Sequence, residues 1–122
     1  MRNIPIIGLA CSIEALEPIL IANLGADDYQ LMAESTVTAR DGKGGEWRGD
    51  DPAAIGDVLT RLMDGRTIEN AVIGPDGSLS LDLDSEAGIS FLPDPDYESW
   101  WIVGKNGFRV VCMPGGGLAE WG

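Results

Sequence analysis

The chain has 122 residues, 44% of them hydrophobic, and sets 8 Lys and Arg against 20 Asp and Glu, a formal charge of −12, with no histidine. That is one domain's worth of sequence (1–122), too apolar for disorder and long enough for a core of its own. Ser-His-Asp and Cys-His catalysis are excluded, Cys11 and Cys112 alone cannot supply a four-ligand zinc site, and so acidic a surface opposes nucleic-acid phosphates and anionic lipid heads.

Residues 4–13 are apolar and β-branched between Asn3 and Glu14, which predicts a first strand. Residues 18–24 predict a second strand, and residues 29–34 a third after the turn Gly25-Ala26-Asp27-Asp28. Thr36-Val37-Thr38 extends the third strand or starts a fourth, and Asp41-Gly42-Lys43-Gly44-Gly45 is a loop. One helix is predicted over 51–63. Asp50 or Asp51 caps it, Pro52 suits the first turn, and Gly65 ends it. Ile55, Val58, Leu59 and Leu62 form its apolar stripe, and Arg61 complements the dipole near its C-terminus.

Beyond Gly65 the apolar period changes to two. Residues 67–73 predict a strand, Pro75-Asp76-Gly77-Ser78 a turn, and Leu79, Leu81 and Leu83 alternating with Ser80, Asp82 and Asp84 a half-buried strand. Residues 89–92 return after Ser85-Glu86-Ala87-Gly88, and Pro93-Asp94-Pro95-Asp96 forms a stiff acidic loop. Residues 99–103 and 108–113 flank Lys105-Asn106-Gly107, where Asn-Gly signals a hairpin. Pro114 and three glycines end the last of these, and 118–121 is a short apolar tail with the character of a final strand.

Ile13-Glu14 resembles Ile68-Glu69, and Ile19, Ile21, Tyr29 and Leu31 match Leu79, Leu81, Ile89 and Phe91 at a constant offset. This echo suggests two repeated β-units, one on each side of the helix. The opening Ile4-Pro5-Ile6-Ile7-Gly8-Leu9-Ala10-Cys11 faintly resembles a lipoprotein signal, but its apolar stretch is short and only Arg2 precedes it, which favours a strand. No apolar run approaches the roughly 20 residues that span a bilayer. A cytoplasmic location with reduced cysteines is therefore expected.

The last quarter carries the most distinctive pattern: Tyr97-Glu98-x-Trp100, Gly104 and Gly107, Val110-Val111-Cys112-x-Pro114-Gly115-Gly116, and Ala119-x-Trp121. It resembles a widespread family of small, acidic, uncharacterised bacterial proteins, common in actinobacteria, that end in Y-E-x-W, a glycine hairpin, an apolar strand and P-G-G-x-x-A-x-W. The likeness is close over 94–122, moderate over 65–93 and weak before that. It implies a compact β-rich fold and no particular chemistry. Small size and acidity associate such chains with bacterial immunity proteins.

Several groups have the residue types of a site. Pro114-Gly115-Gly116-Gly117 has the makings of an anion-binding nest, but it lacks the lysine and helix of a phosphate loop and reads as a tight turn. Asp82 and Asp84 share a strand face, as a glycosidase pair does, yet nothing supplies the burial that would separate their pKa values. Asp94, Asp96 and Glu98 alternate without the glycine and distal glutamate of a calcium loop. Cys112 reads as a core residue. Adjacent Trp100 and Trp101 face opposite sides of a strand, so one packs inside and the other is available as an interface anchor.

Between Thr67 and Gly104 there are eight acidic residues (Glu69, Asp76, Asp82, Asp84, Glu86, Asp94, Asp96, Glu98) and no Lys or Arg. In a meander these pool into a patch that attracts a basic partner, while the plainer reading is solubility.

The expected fold is α+β: a twisted antiparallel sheet of about seven or eight strands with one helix on its apolar face, where Leu79, Leu81 and Leu83 meet Ile55, Val58, Leu59 and Leu62. The expected function is a non-catalytic binding protein, an immunity protein neutralising a basic toxin, that uses Asp82, Asp84, Glu86, Asp94, Asp96, Glu98, Trp100 and Trp101. No catalytic residue, cofactor, metal, nucleic acid or membrane is expected to take part. The alternatives are a small-ligand-binding or carboxylate-dependent enzymatic domain, against which the lack of histidine and of a cationic cluster counts, and a structural subunit.

Overall fold

A computed structural model describes residues 2–121. Strand is the dominant element and there is one α-helix. The strands form two antiparallel sheets of six, in place of the single sheet of seven or eight that the sequence suggested. In chain order they are β1 (Arg2–Asn3), β2 (Cys11–Ala15), β3 (Leu20–Leu24), β4 (Tyr29–Ala33), β5 (Val37–Arg40), β6 (Glu46–Gly49), β7 (Ile68–Ile73), β8 (Leu79–Leu83), β9 (Gly88–Phe91), β10 (Trp100–Gly104), β11 (Arg109–Cys112) and β12 (Leu118–Trp121). Sheet I has the order β1-β7-β8-β9-β5-β6, and sheet II the order β12-β11-β10-β4-β3-β2. The strand predicted over 4–13 shrinks to Cys11–Ala15, although Ile4 and Ile6 are buried in the core ahead of it. Strand β6 was not foreseen, because Glu46-Trp47-Arg48-Gly49 holds a single apolar side chain.

The chain visits the sheets in a repeating order. The meander β2-β3-β4 lies in sheet II and is followed by the hairpin β5-β6 in sheet I; the meander β7-β8-β9 lies in sheet I and is followed by the hairpin β10-β11 in sheet II. Each hairpin seats itself beside the other meander: Val37 pairs with Phe91 and Trp100 with Ala33. The two crossing segments run together, Glu34 N–H donating to Ser99 O at 3.0 Å and Leu92 N–H to Thr36 O at 2.9 Å. The offset of the sequence echo fits this arrangement in the third strands of the meanders, where Leu31 and Phe91 both face the core, and fails in the second strands. It matches Ile21 with Leu81, yet Leu81 points into the core while Ala22, the buried neighbour of Ile21, is the inward residue of β3. A slip of one residue exchanges the faces of a strand.

One apolar cluster joins the inner faces. Sheet II contributes Leu20, Ala22, Leu24, Leu31, Ile102 and Val110, and sheet I contributes Leu79, Leu81, Leu83, Ile89 and Phe91 among others. The start of β7 lies against the β2 edge of sheet II, with Ile68 N–H donating to Leu9 O at 2.9 Å. Past its far end, Gly77 O accepts the Trp100 indole N–H from β10 at 2.9 Å. Strand β7 therefore runs across sheet II instead of along it, and the strands of the two layers cross, as in sandwiches whose corners are made by strands that change sheets.

The helix begins as predicted and lies elsewhere than predicted. Asp51 Oδ1 accepts the Ala54 N–H at 3.0 Å, a 3-10 turn follows over Pro52–Ile55, and α1 runs Gly56–Met63. The Leu79-Leu81-Leu83 face is already covered by sheet II, so α1 has no open sheet face to cover. It instead leaves β6 of one sheet and ends along β2 of the other, where Asp64 Oδ1 accepts the Ile13 N–H at 2.8 Å and Gly65 N–H donates to Cys11 O at 2.8 Å. The edge strand is thus shielded from pairing with another chain. Leu59, Leu62 and Met63 are buried in the shared core. Leu59 has no solvent exposure, so Leu59→Ala is expected to destabilise the protein by about 2–5 kcal/mol in denaturant melts; a loss below about 0.5 kcal/mol, the size usual at surface sites, would place Leu59 outside the core.

Candidate functional site

The structure separates the predicted partner-binding residues into two groups at opposite ends of β9. Asp82 lies on the outer face of sheet I, where Arg40 Nη2 sits 3.0 Å from its Oδ1. The Arg40 guanidinium reaches it by passing over Gly88; a Cβ at Gly88 would fall within that guanidinium. Asp84 and Glu86 follow in the β8–β9 turn. The other group, Asp94, Asp96 and Glu98, stands in the crossing between β9 and β10. Asp94 Oδ1 accepts the Asp96 N–H at 2.8 Å, and Gly115 N–H donates to Asp94 O at 2.8 Å, so the loop is held to the β11–β12 turn. Tyr97 in this loop has its phenol pushed above the usual range by desolvation first and then by the Asp94, Glu34 and Asp51 carboxylates, which brings more negative charge to the same end. The eight acids therefore do not pool into one patch.

The tryptophans divide as strand alternation requires. Trp100 is fully buried between the sheets and is no surface anchor. Its indole N–H goes to Gly77 O, which also lies 3.5 Å from Cys112 Sγ. Gly77 has a φ of 94°, and a Cβ there would overlap the carbonyl of Gly116, so the β7–β8 and β11–β12 turns touch through backbone alone. Asp76 shapes the first turn: Oδ1 accepts the Ser78 N–H at 3.0 Å and Oδ2 the Ser78 hydroxyl at 2.8 Å, which holds its carboxyl below the usual range. Both thiols are buried and unbridged; burial pushes Cys11 up to about 12 and raises Cys112.

Trp101 faces out from sheet II in a row that crosses the sheet. Ile21 pairs with Met32, Met32 with Trp101, Trp101 with Val111, and Val111 with Ala119. Beside it runs a second row, Asn23, Gln30, Val103, Arg109 and Trp121, in which the Arg109 guanidinium lies 5.4 Å from the Trp121 ring centre. Trp121 is 54% exposed. The outer face of sheet I is polar by contrast: Ser80 and Ser90 hydroxyls are 3.0 Å apart, next to the Arg40–Asp82 pair.

Sequence reasoning missed one further feature. Lys43, Arg61 and Arg66 line a surface cavity of about 370 Å³ together with Asp41, Leu62 and Ser85. The β5–β6 loop, the last turn of α1 and the segment before β7 bring them together, and no short motif spans them. The available signal was compositional: Arg40, Lys43, Arg48, Arg61 and Arg66 all fall in 40–66, and the acidic stretch begins directly afterwards. Among the described residues no group of three or more His, Cys, Asp or Glu side chains is placed to hold a metal, and no helix is long and apolar enough to cross a membrane.

A family model, described as a family of unknown function (DUF6188), matches residues 16–122. The chain belongs to the DUF6188 family. Strands β3–β12 and every residue lining the basic cavity fall within the DUF6188 match, and the family description carries no activity that would assign them roles. No curated protein and no solved structure matches the chain.

Two outcomes follow from the Gly77 turn. Trp100→Phe keeps an aromatic side chain but removes the indole donor to the Gly77 carbonyl, and is expected to cost at least about 1–3 kcal/mol in denaturant melts. Asp76 has a depressed pKa, so its contribution to stability is present above the ordinary carboxylate range and is lost as pH falls through the depressed value. Asp76→Asn is therefore expected to lower the melting temperature at neutral pH, with the difference from wild type closing in strong acid.

Proposed function

We propose that this DUF6188 protein is a non-catalytic binding protein that engages a basic protein partner through the outer face of sheet II. The observation that carries the reading is the contrast between the two outer faces. The outer face of sheet I is lined by polar pairs at its centre. Sheet II instead carries Ile21, Met32, Trp101 and Ala119 partly exposed in one row, interrupted by the buried Val111, beside its own polar pairs Asn23–Glu14 and Gln30–Asn23. Trp101, partly buried within this row, is of the residue type most enriched among interface anchors. The choice of a basic partner rests on charge. Glu34, Asp94, Asp96 and Glu98 stand at one end of this face and Asp27 and Asp28 at the other, in a chain of net charge −12.

Neutralisation of a basic toxin is the specific form of this activity, and charge complementarity is its support. Two unbridged, buried cysteines accord with a cytoplasmic setting. A small-ligand-binding domain is the second reading, favoured by the basic cavity.

The test is co-expression with the products of the neighbouring genes, followed by binding kinetics. Trp101→Ser is expected to speed dissociation with little change in association. Charge reversal at Asp94, Asp96 and Glu98 together is expected to slow association by about tenfold at low salt and to flatten its salt dependence. Reversal at Asp84 and Glu86, beyond the far end of β9, is expected to leave both rates near wild type. An interface that avoids sheet II overturns the reading, as does a dimer of the free protein that Trp101→Ser abolishes, since the face would then serve a second copy.

A further inference from the structure

We propose that the cavity between the β5–β6 loop, the end of α1 and the β8–β9 turn binds a small molecule bearing a phosphate monoester. The chain has only 8 cationic side chains for 20 carboxylates, so each has many possible partners. Arg40 and Lys105 take them, at 3.0 Å from Asp82 and Asp28. Like Arg48 and Arg109, Lys43, Arg61 and Arg66 have no carboxylate within ion-pair distance among the described residues, but these three alone line one cavity together. There the Asp41 carboxyl is held below the usual range by the Lys43 and Gly45 N–H bonds first, and Arg61 lies close enough to lower it further. Like charges that line one cavity repel one another, and a bound anion relieves that repulsion.

The site is formed by fixed elements. Asp41 Oδ1 accepts the Lys43 N–H at 2.8 Å and the Gly45 N–H at 2.9 Å, which closes the loop that carries Lys43. Arg61 lies with its guanidinium carbon 5.2 Å from the centre of the Trp47 ring, a contact that occupies one face of the guanidinium and leaves its in-plane N–H donors available. The Ser85 hydroxyl is enclosed and has no hydrogen-bond partner in the protein among the described residues. Complementing the helix dipole accounts for Arg61 in the last turn of α1, but not for Lys43 and Arg66 converging on the same cavity.

The charge selects the ligand. Three cations and the Asp41 carboxylate leave a local charge of about +2, which a dianionic phosphate monoester neutralises. Guanidinium forks match phosphate oxygens in pairs. A cavity of about 370 Å³ exceeds the needs of phosphate alone and leaves room for an organic group beside Leu62. Glu86 on the β8–β9 turn and Asp64 after α1 carry charge that weakens distant attraction, so selectivity comes from direct contact.

The test titrates the protein with AMP, ribose 5-phosphate and inorganic phosphate, and with adenosine and ribose as neutral controls, at constant ionic strength set by chloride. Amide resonances of residues 41–45, 61–66 and 85 are expected to shift with the two esters, with inorganic phosphate binding more weakly and the neutral controls not binding. Arg61→Gln and Arg66→Gln are each expected to weaken ester binding by about tenfold or more, a change of about 1.4 kcal/mol. Arg61→Lys, which keeps the charge and loses the fork, should fall between. Arg48→Gln, on the outer face of sheet I, is expected to bind as wild type, and so is Trp101→Ser, which separates this site from the sheet II reading. Should an arginine variant fail to fold, Lys43→Ala on the exposed loop gives the same readout and is expected to weaken binding. Shifts that chloride reproduces, shifts spread over both sheets, or unchanged affinity in Lys43→Ala or in Arg61→Gln/Arg66→Gln would overturn the proposal.

Discussion

A tryptophan sealed between two sheets must find an acceptor for its indole N–H, because an unpaired donor there costs more than the bond returns. In this protein the acceptor is a single carbonyl, that of Gly77, on a turn that belongs to the opposite sheet. The contact fixes where the β7–β8 turn sits over β10, and with it the angle at which one sheet crosses the other. It also explains the backbone there. The turn must approach Gly116 so closely that neither residue has room for a side chain, and both adopt a positive φ. Asp76 then holds the turn from beside it through Ser78.

Much of the fold was legible because strand burial writes itself as a period of two. Leu79, Leu81 and Leu83 face inward as their alternation says, and the Asn-Gly turn joins β10 to β11. The second layer was not legible. An alternating strand declares that one face is covered and leaves open whether a helix or another sheet covers it, so the one helix in view was given that task. Strand β6 escaped notice for a related reason: its pairing with β5 makes it a strand, and no pattern of its own does. The candidate sites show the same limit. Acids contiguous in sequence were separated by the length of β9, while cations on three unrelated segments were gathered into one cavity. Spacing along the chain tells only of neighbours on the same element.

The two outer faces differ in how their side chains are satisfied. Sheet I carries polar groups that pair with one another across strands, such as Ser80 with Ser90 and Arg40 with Asp82 over Gly88. Cross-strand pairs of this kind stabilise a solvated sheet and leave little for a partner to gain. Sheet II carries a partly exposed apolar row, Ile21, Met32, Trp101 and Ala119, beside a polar row that pairs Asn23 with Glu14 and Gln30 with Asn23. The same chain therefore presents two outer faces of different chemistry, and under the proposed reading the charge at the ends of sheet II would steer a basic partner toward its face.

The exchange of hairpins between the two meanders bears on how such a chain is made. Val37 needs Phe91, and Ala33 needs Trp100, so neither half completes its own sheet. During synthesis the first meander emerges with the β4 edge bare, and it stays bare until β10 has left the ribosome. An exposed strand edge is a template for any passing strand, so the growing chain depends on its charge, or on a chaperone, through that interval. Once released, folding has to close these long loops before their contacts repay the lost entropy, a topology associated with rates of roughly milliseconds to seconds instead of microseconds.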